Sequence, residues 1–151
     1  MDLSVYLARI ENLTKDYENH VYKLLERSSN YVLAIPKQRM YLRGTDANDE
    51  KIKPSYDEWT IRDKKAKGQI TSHVTLRDTG AWKRSWKLIR QGTKITFTAP
   101  NDLKTGFLVS HYSSNELFGF SPKDGEQIYK NWIKPDIEGI IYPSETIDIK
   151  I

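Results

Sequence analysis

His73-Val-Thr-Leu-Arg-Asp-Thr-Gly-Ala-Trp-Lys-Arg-Ser-Trp-Lys-Leu88 is where the hydrophobic period of this chain changes. Val74 and Leu76 alternate with Thr75 and Arg77, the pattern of a short half-buried strand. Asp78-Thr79-Gly80 interrupts it. The triplet reads as a structural turn, with Asp78 capping the next helical turn and Gly80 in a backbone conformation that a side chain would oppose. Ala81 to Ser85 can make one helical turn. Trp86 to Arg90 and Thr93 to Ala99 then read as strands joined at Gln91-Gly92. In the second strand Ile95 and Phe97 share one face, and Lys94, Thr96 and Thr98 share the other. One apolar and one polar face is what a half-buried antiparallel strand requires, so this is the best hairpin signal in the chain.

Before this run the spacing is helical. From about Ser4 to Ser28, Tyr6, Ile10, Leu13, Tyr17, Val21 and Leu24 follow one another at steps of four and three, with no Gly or Pro between them. The expectation is one long amphipathic helix within residues 1–30. Its narrow apolar stripe would dock on the domain's own sheet or on a neighbouring subunit. Tyr31 to Ile35 is apolar, and Pro36 predicts a break, because its ring clashes with the preceding turn and it has no N–H. A short helix from Lys37 to Leu42 and a polar turn over Gly44–Glu50 follow. Ser55 and Glu58 have capping-box spacing, which predicts a helix over about Tyr56–Lys65 closed by Gly68.

After the hairpin, Leu103 to Tyr112 has the spacing of a short helix, with Leu103, Phe107 and Leu108 on one side. Leu117 to Phe120 reads as a short strand. Ser121-Pro122 opens a further helix, Ser as cap and Pro at its first position. Ile128, Trp132 and Ile133 supply its apolar side, and Pro135 is expected to kink or end it. Ile147, Ile149 and Ile151 alternate with charged residues. Residues 140–151 are therefore a candidate C-terminal arm, able to pair with another subunit's sheet edge. There is no internal repeat and no interdomain linker. The expected fold class is α+β: one domain over residues 1–151, with a small, mostly antiparallel sheet packed by a long N-terminal helix and shorter helices.

Charge is unevenly placed. The net +4 divides into −1 over residues 1–36, +8 over 37–94 and −3 over 95–151. A positive middle third suits nucleic acid or an acidic protein surface, and a solvated surface is the plainer reading. The chain has no cysteine, which removes disulfides, thiolate nucleophiles and thiolate metal ligands together. No segment approaches the roughly 20 apolar residues of a membrane span, so no membrane association is expected. Met1-Asp-Leu-Ser-Val-Tyr6 lacks the basic and apolar regions of a signal peptide, and synthesis in the cytoplasm is the expectation.

The residues offer little for catalysis. His20, His73 and His111 have no second histidine at ligand spacing, so no metal site is expected. Asp46, Asn48 and Glu50 match the start of a calcium loop, but Lys51 stands where Gly is needed and Asp57 where Glu is needed. Asp78-Thr79-Gly80 copies the aspartic-protease triplet, whose chemistry needs two such carboxyls sharing a proton. The chain carries one. Neither a phosphate-binding glycine loop nor a serine nucleophile elbow occurs. No cofactor and no enzymatic activity are expected. Trp82, Lys83, Arg84, Trp86 and Lys87 interleave aromatic and basic residues. That mixture suits stacking on bases and pairing with phosphates, a protein interface, or, for the tryptophans, the core.

Several ordered segments resemble a known family. Gln38-Arg-Met-Tyr-Leu-Arg-Gly-Thr-Asp46 and Ile52-Lys-Pro-Ser-Tyr56 precede the Leu76-x-x-Thr-Gly-x-Trp-x-x-Ser85 run, and Glu116-Leu-Phe-Gly-Phe-Ser121 comes after it. In this order they resemble the tail-completion and head–tail joining proteins at the neck of tailed phages, over roughly residues 38–133. The resemblance implies a structural virion protein without catalytic residues. It would be a ring-forming homo-oligomer of about six or twelve copies, touching portal-side or tail-side virion proteins and, through its basic middle third, packaged DNA. Trp82 departs from the aliphatic residue commoner at its position, and the isoleucine-rich C-terminus is a second departure. The alternative from another class is a basic nucleic-acid-binding accessory protein.

Overall fold

The computed structural model describes residues 3–100, 102–112 and 117–143. The fold is α+β. In order, α1 (Leu3–Lys15), α2 (Tyr17–Arg27), α3 (Ser29–Arg43), α4 (Glu58–Ala66) and the single turn α5 (Ala81–Arg84) precede a hairpin. The hairpin is β1 (Lys87–Gln91) with β2 (Lys94–Thr98), and α6 (Leu103–His111), α7 (Pro122–Ile128), a π-helical turn (Tyr129–Ile133) and α8 (Lys134–Ile141) come next. The strands pair antiparallel with Leu88 opposite Phe97 and Arg90 opposite Ile95, as the alternation implied. Among the described residues no helix is long and apolar enough to cross a membrane. Residues 144–151 of the expected C-terminal arm lie outside the described set, and Ile140 and Ile141 end α8.

The long N-terminal helix is instead two helices that meet at Asp16. Asn12, Thr14 and Asp16 are side chains that compete with the helical backbone. Thr14 Oγ1 donates to the Glu11 carbonyl, and Asp16 accepts from the Asn19 amide side chain. The break splits the apolar stripe. Val21 is buried, Leu13 and Leu24 are half-buried, and Ile10 and Tyr17 stay exposed; the Tyr6 side chain is outside the described set.

The break expected at Pro36 does not occur, and α3 runs through it. Val32, Leu33, Ile35, Pro36 and Met40 are all buried. The apolar surface they remove from water, at about 1.5–3 kcal/mol per large side chain, outweighs the ~3 kcal/mol that an interior proline costs. Gly44 ends the helix in the left-handed region at φ 61°. A Cβ there would lie 2.6 Å from His73 Cδ2, so the close approach of the two segments needs glycine. Pro135 does not end the helical run: the backbone stays in the right-handed helical region through Ile133 and Lys134, and the π-helical turn Tyr129–Ile133 comes directly before the proline's helix α8.

The expected strand over Val74–Arg77 is irregular chain. Val74, Thr75 and Leu76 are all buried, so both faces are covered, and Leu76 reverses the backbone at φ 51°. Its backbone polar groups are satisfied by side chains instead of a neighbouring strand. Thr75 N donates to the Tyr56 hydroxyl, Lys83 Nζ donates to the Thr75 carbonyl and Lys64 Nζ to the Arg77 carbonyl. Leu117 to Phe120 also forms bends where a strand was expected, with Gly119 at φ 138°. Of the three expected helix caps, those at Ser55 and Asp78 differ. Asp57, not Ser55, caps α4 by accepting from Thr60 N at 2.7 Å. Ser121 does cap α7, and Asp124 completes a reciprocal box with it.

Two buried clusters form the core. The larger gathers Leu33, Met40, Ile52, Val74, Leu76, Trp82, Trp86, Phe97, Leu108 and Leu117. The smaller joins Val21, Leu25, Val32, Ile35 and Ile128. Leu88 and Phe120 pack against both and connect them.

Candidate functional site

The Trp82–Lys87 segment does not form one aromatic and basic stripe. Trp82 and Trp86 are core residues, 5% and 4% exposed, so neither can stack on a base. Trp86 stacks on Phe97 with ring centroids 4.5 Å apart and meets Trp82 edge-on at 5.2 Å. Trp82 Nε1 donates to Thr105 Oγ1 at 2.9 Å, which ties α5 to α6. Lys83 is buried as well, and of the segment's aromatic and basic residues only Arg84 and Lys87 remain exposed. A single helical turn followed directly by a strand points Trp82 and Trp86 inward together, which is why periodicity alone did not separate core from surface.

The turn before this segment also corrects an expectation. Asp78 does not cap α5; it accepts from Lys67 Nζ at 3.1 Å, and that ammonium holds its carboxyl below the usual carboxylate range. Gly80 is the cap, at φ 80°, and the Thr79 hydroxyl accepts from Ala81 N. Gly80 stands in the left-handed region at φ 80°, a conformation that a side chain would oppose.

Lys83 opens onto a cavity of about 310 Å³ between α3 and the Arg77–Arg84 segment. Lys37, Gln38, Tyr41, Arg77 and Arg84 line the rest of it. Lys37 and Arg77 were not singled out by sequence, because they belong to segments 40 residues apart. Neutral groups position each cation. Lys83 Nζ donates to the Thr75 carbonyl at 2.7 Å, Arg84 Nη1 donates to the Thr79 carbonyl at 3.3 Å, Arg77 lies over the Tyr41 ring at 5.1 Å and Lys37 over the Trp86 ring at 5.9 Å. Among the described residues none of the four cations makes an ion pair.

Burial, and then the surrounding charges of Arg77, Lys37, Lys64 and Arg39, push the Lys83 ammonium down to about 7. Burial lowers Lys37 too. An unfolded lysine holds its proton to about pH 10.4, so between pH 7 and 9 the unfolded chain binds more protons than the folded one. Stability should therefore rise with pH across this window, by up to about 1.4 kcal/mol per pH unit from Lys83. Urea unfolding at pH 7, 8 and 9 measures the slope, and Lys83→Met should flatten it; an equal slope in the variant would assign it elsewhere.

A second buried charge has a structural role. Arg39 and Asp124 form an ion pair with side chains only 1% and 2% exposed. Arg39 also donates to the carbonyls of Thr45 and Gly119, and Asp124 accepts from Ser121 N. This one guanidinium joins α3, the turn at Thr45, the Gly119 bend and α7. The sequence held a signal for it: Val32, Ile35, Arg39 and Met40 recur at helical spacing, with a cation in a core position. The polar turn itself is as expected. Asp46 accepts from the backbone N–H groups of Asn48 and Glu50, which makes the calcium-loop reading unnecessary.

Among the described residues, apolar side chains of α1 and α6 remain exposed. On α1, Leu3, Leu7 and Ile10 share one side and are 71%, 54% and 42% exposed. On α6, Leu108 packs inward, whereas Leu103 and Phe107, expected beside it, are 95% and 60% exposed. α1 packs against α2 and α8, and Leu108 of α6 enters the larger core cluster.

The histidines serve separate contacts. His20 Nε2 pairs with Asp136, His73 Nε2 bonds to the Tyr41 carbonyl, and His111 stacks on Phe107. Among the described residues no three metal-ligating side chains stand together. No family model, no curated protein and no solved structure matches the chain.

Proposed function

We propose that this chain is a structural subunit of a tailed-phage virion, assembling head-to-tail into a ring at the head–tail junction or the end of the tail. The support is the ordered set of motifs between Gln38 and Ser121 together with one geometric observation. The chain exposes apolar side chains on two separate helices, on α1, which packs against α2 and α8, and on α6, whose Leu108 enters the larger core cluster. A head-to-tail ring needs two different complementary surfaces on each subunit, whereas a twofold dimer needs only one. Uncovered faces of this kind mark interaction sites. In this reading α1 of each subunit lies on α6 of the next. Exposed Asn48 and Glu50 of the polar turn and the exposed cations of the basic middle third would meet neighbouring virion proteins or the DNA that passes through.

The chain has no native cysteine, which makes a cross-linking test clean. The Leu7→Cys, Phe107→Cys double variant should, on mild oxidation, give a ladder of oligomers that closes at a fixed size. Each single variant should give dimers at most. A double variant that stays monomeric under oxidation would contradict the proposed contact.

The second reading, a nucleic-acid-binding accessory protein, draws on the four cations without carboxylate partners around the Lys83 cavity. It calls for an affinity whose logarithm falls linearly with the logarithm of salt. Absence of binding to duplex or single-stranded DNA at low salt would exclude it.

A further inference from the structure

We propose that the cavity between α3 and the Arg77–Arg84 segment is a binding site for a phosphate group, held by Lys37, Arg77, Lys83 and Arg84. The site is independent of the ring reading, and its basis is an imbalance of charge. Four cationic side chains line one cavity of about 310 Å³, and among the described residues no acidic side chain lines it. The acidic residue next in sequence, Asp78, is turned away to Lys67. Lys83 is buried, Lys37 half-buried, and Arg77 and Arg84 exposed, so among the described residues four like charges gather around one groove with no counter-charge, and one of them is also desolvated, which is unfavourable. A dianion entering the cavity would relieve that cost.

The donors suit phosphate. Lys83 has three N–H groups, of which the Thr75 carbonyl takes one. Arg84 gives one of its five to the Thr79 carbonyl. Arg77 is held by a ring face, which leaves its in-plane donors unspent. A guanidinium fork matches phosphate oxygens, and lysine adds a point charge. A phosphate monoester carries a charge of about −1.5 to −2 and three acceptor oxygens, against one charge and two oxygens for a carboxylate. Four cations fit the former better. The volume is on the order of ten waters, enough for a phosphate with part of its hydration. The ligand is a free phosphate or monoester, or two neighbouring phosphodiesters of a DNA backbone, each of which brings one charge and two free oxygens, and the two sources differ in what the whole surface must accommodate.

Titration calorimetry of the full chain separates these, with inorganic phosphate, acetate and a short DNA duplex as probes at equal ionic strength. Phosphate should bind and acetate should not. Arg77→Gln and Arg84→Gln, both at exposed positions, should each weaken phosphate binding by about tenfold or more. Lys83→Met should do the same, and Arg62→Gln on α4, outside the cavity, should leave it unchanged. Duplex that competes with phosphate supports the site and assigns it to the DNA backbone. Phosphate binding without duplex competition supports the site as one for free phosphate or a monoester. Acetate binding as tightly as phosphate, phosphate binding unaltered by the three cavity substitutions, or no binding of any probe would each overturn the proposal.

Discussion

Arg39→Met should destabilise the fold by about 3–5 kcal/mol, the usual consequence of removing one partner of a buried ion pair. Asp124 would be left as a charge with 2% of its side chain exposed, and the carbonyls of Thr45 and Gly119 would each lose a donor. The pair itself need not be worth that much. Desolvation of both ions offsets most of their attraction, so the loss comes chiefly from the orphaned carboxylate. Arg39→Met combined with Asp124→Asn should therefore be less destabilised than Arg39→Met alone. The asparagine can still accept from Ser121 N, which preserves part of the α7 cap. Urea unfolding of the two variants beside the parent measures both quantities. Equal stability of Arg39→Met and parent would mean that this guanidinium does not join the four segments.

Trp86→Ala should cost about 3–5 kcal/mol, as large-to-small changes at buried aromatics do. Trp86 is stacked on Phe97, edge-on to Trp82 and in contact with Phe118, so its loss empties the centre of the larger cluster. Trp86→Phe should behave differently. Among the described residues the buried indole Nε1 has no hydrogen-bond partner, an arrangement that costs about 1–3 kcal/mol. Phenylalanine removes that orphan donor while keeping a ring against Phe97, so its net loss should be well below that of alanine. Chemical denaturation with tryptophan fluorescence from the remaining indoles reads both. A Phe variant as damaged as the Ala variant would mean that the N–H is satisfied in solution.

The elements that periodicity located are those with one wet and one dry face. Lys94–Thr98 alternates cleanly because β2 is half-buried, and Ser121-Pro122 signals α7 because the cap is local. Where burial is complete, periodicity disappears. Val74–Leu76 looked like a strand because Val74 and Leu76 bracket Thr75, yet Thr75 is itself 1% exposed and bonded through long-range side chains. Pro36 signalled a break by its own chemistry, and tertiary packing of its neighbours overrode it. At the candidate site the sequence showed Lys83 and Arg84 but not Lys37 and Arg77, because only the folded chain brings α3 against the turn. Trp82 and Trp86 were ambiguous for the opposite reason. The same residue types serve core, interface and base stacking, and burial alone separates those uses.

The ring reading proposed above rests on the ordered segments between Gln38 and Ser121 and on the exposed apolar side chains of α1 and α6, and one experiment addresses it directly. Quantitative mass spectrometry on virions purified from the source of this chain measures its copies per particle. The ring account predicts a fixed stoichiometry of about six or twelve. A particle that contains no copy of the chain would contradict it.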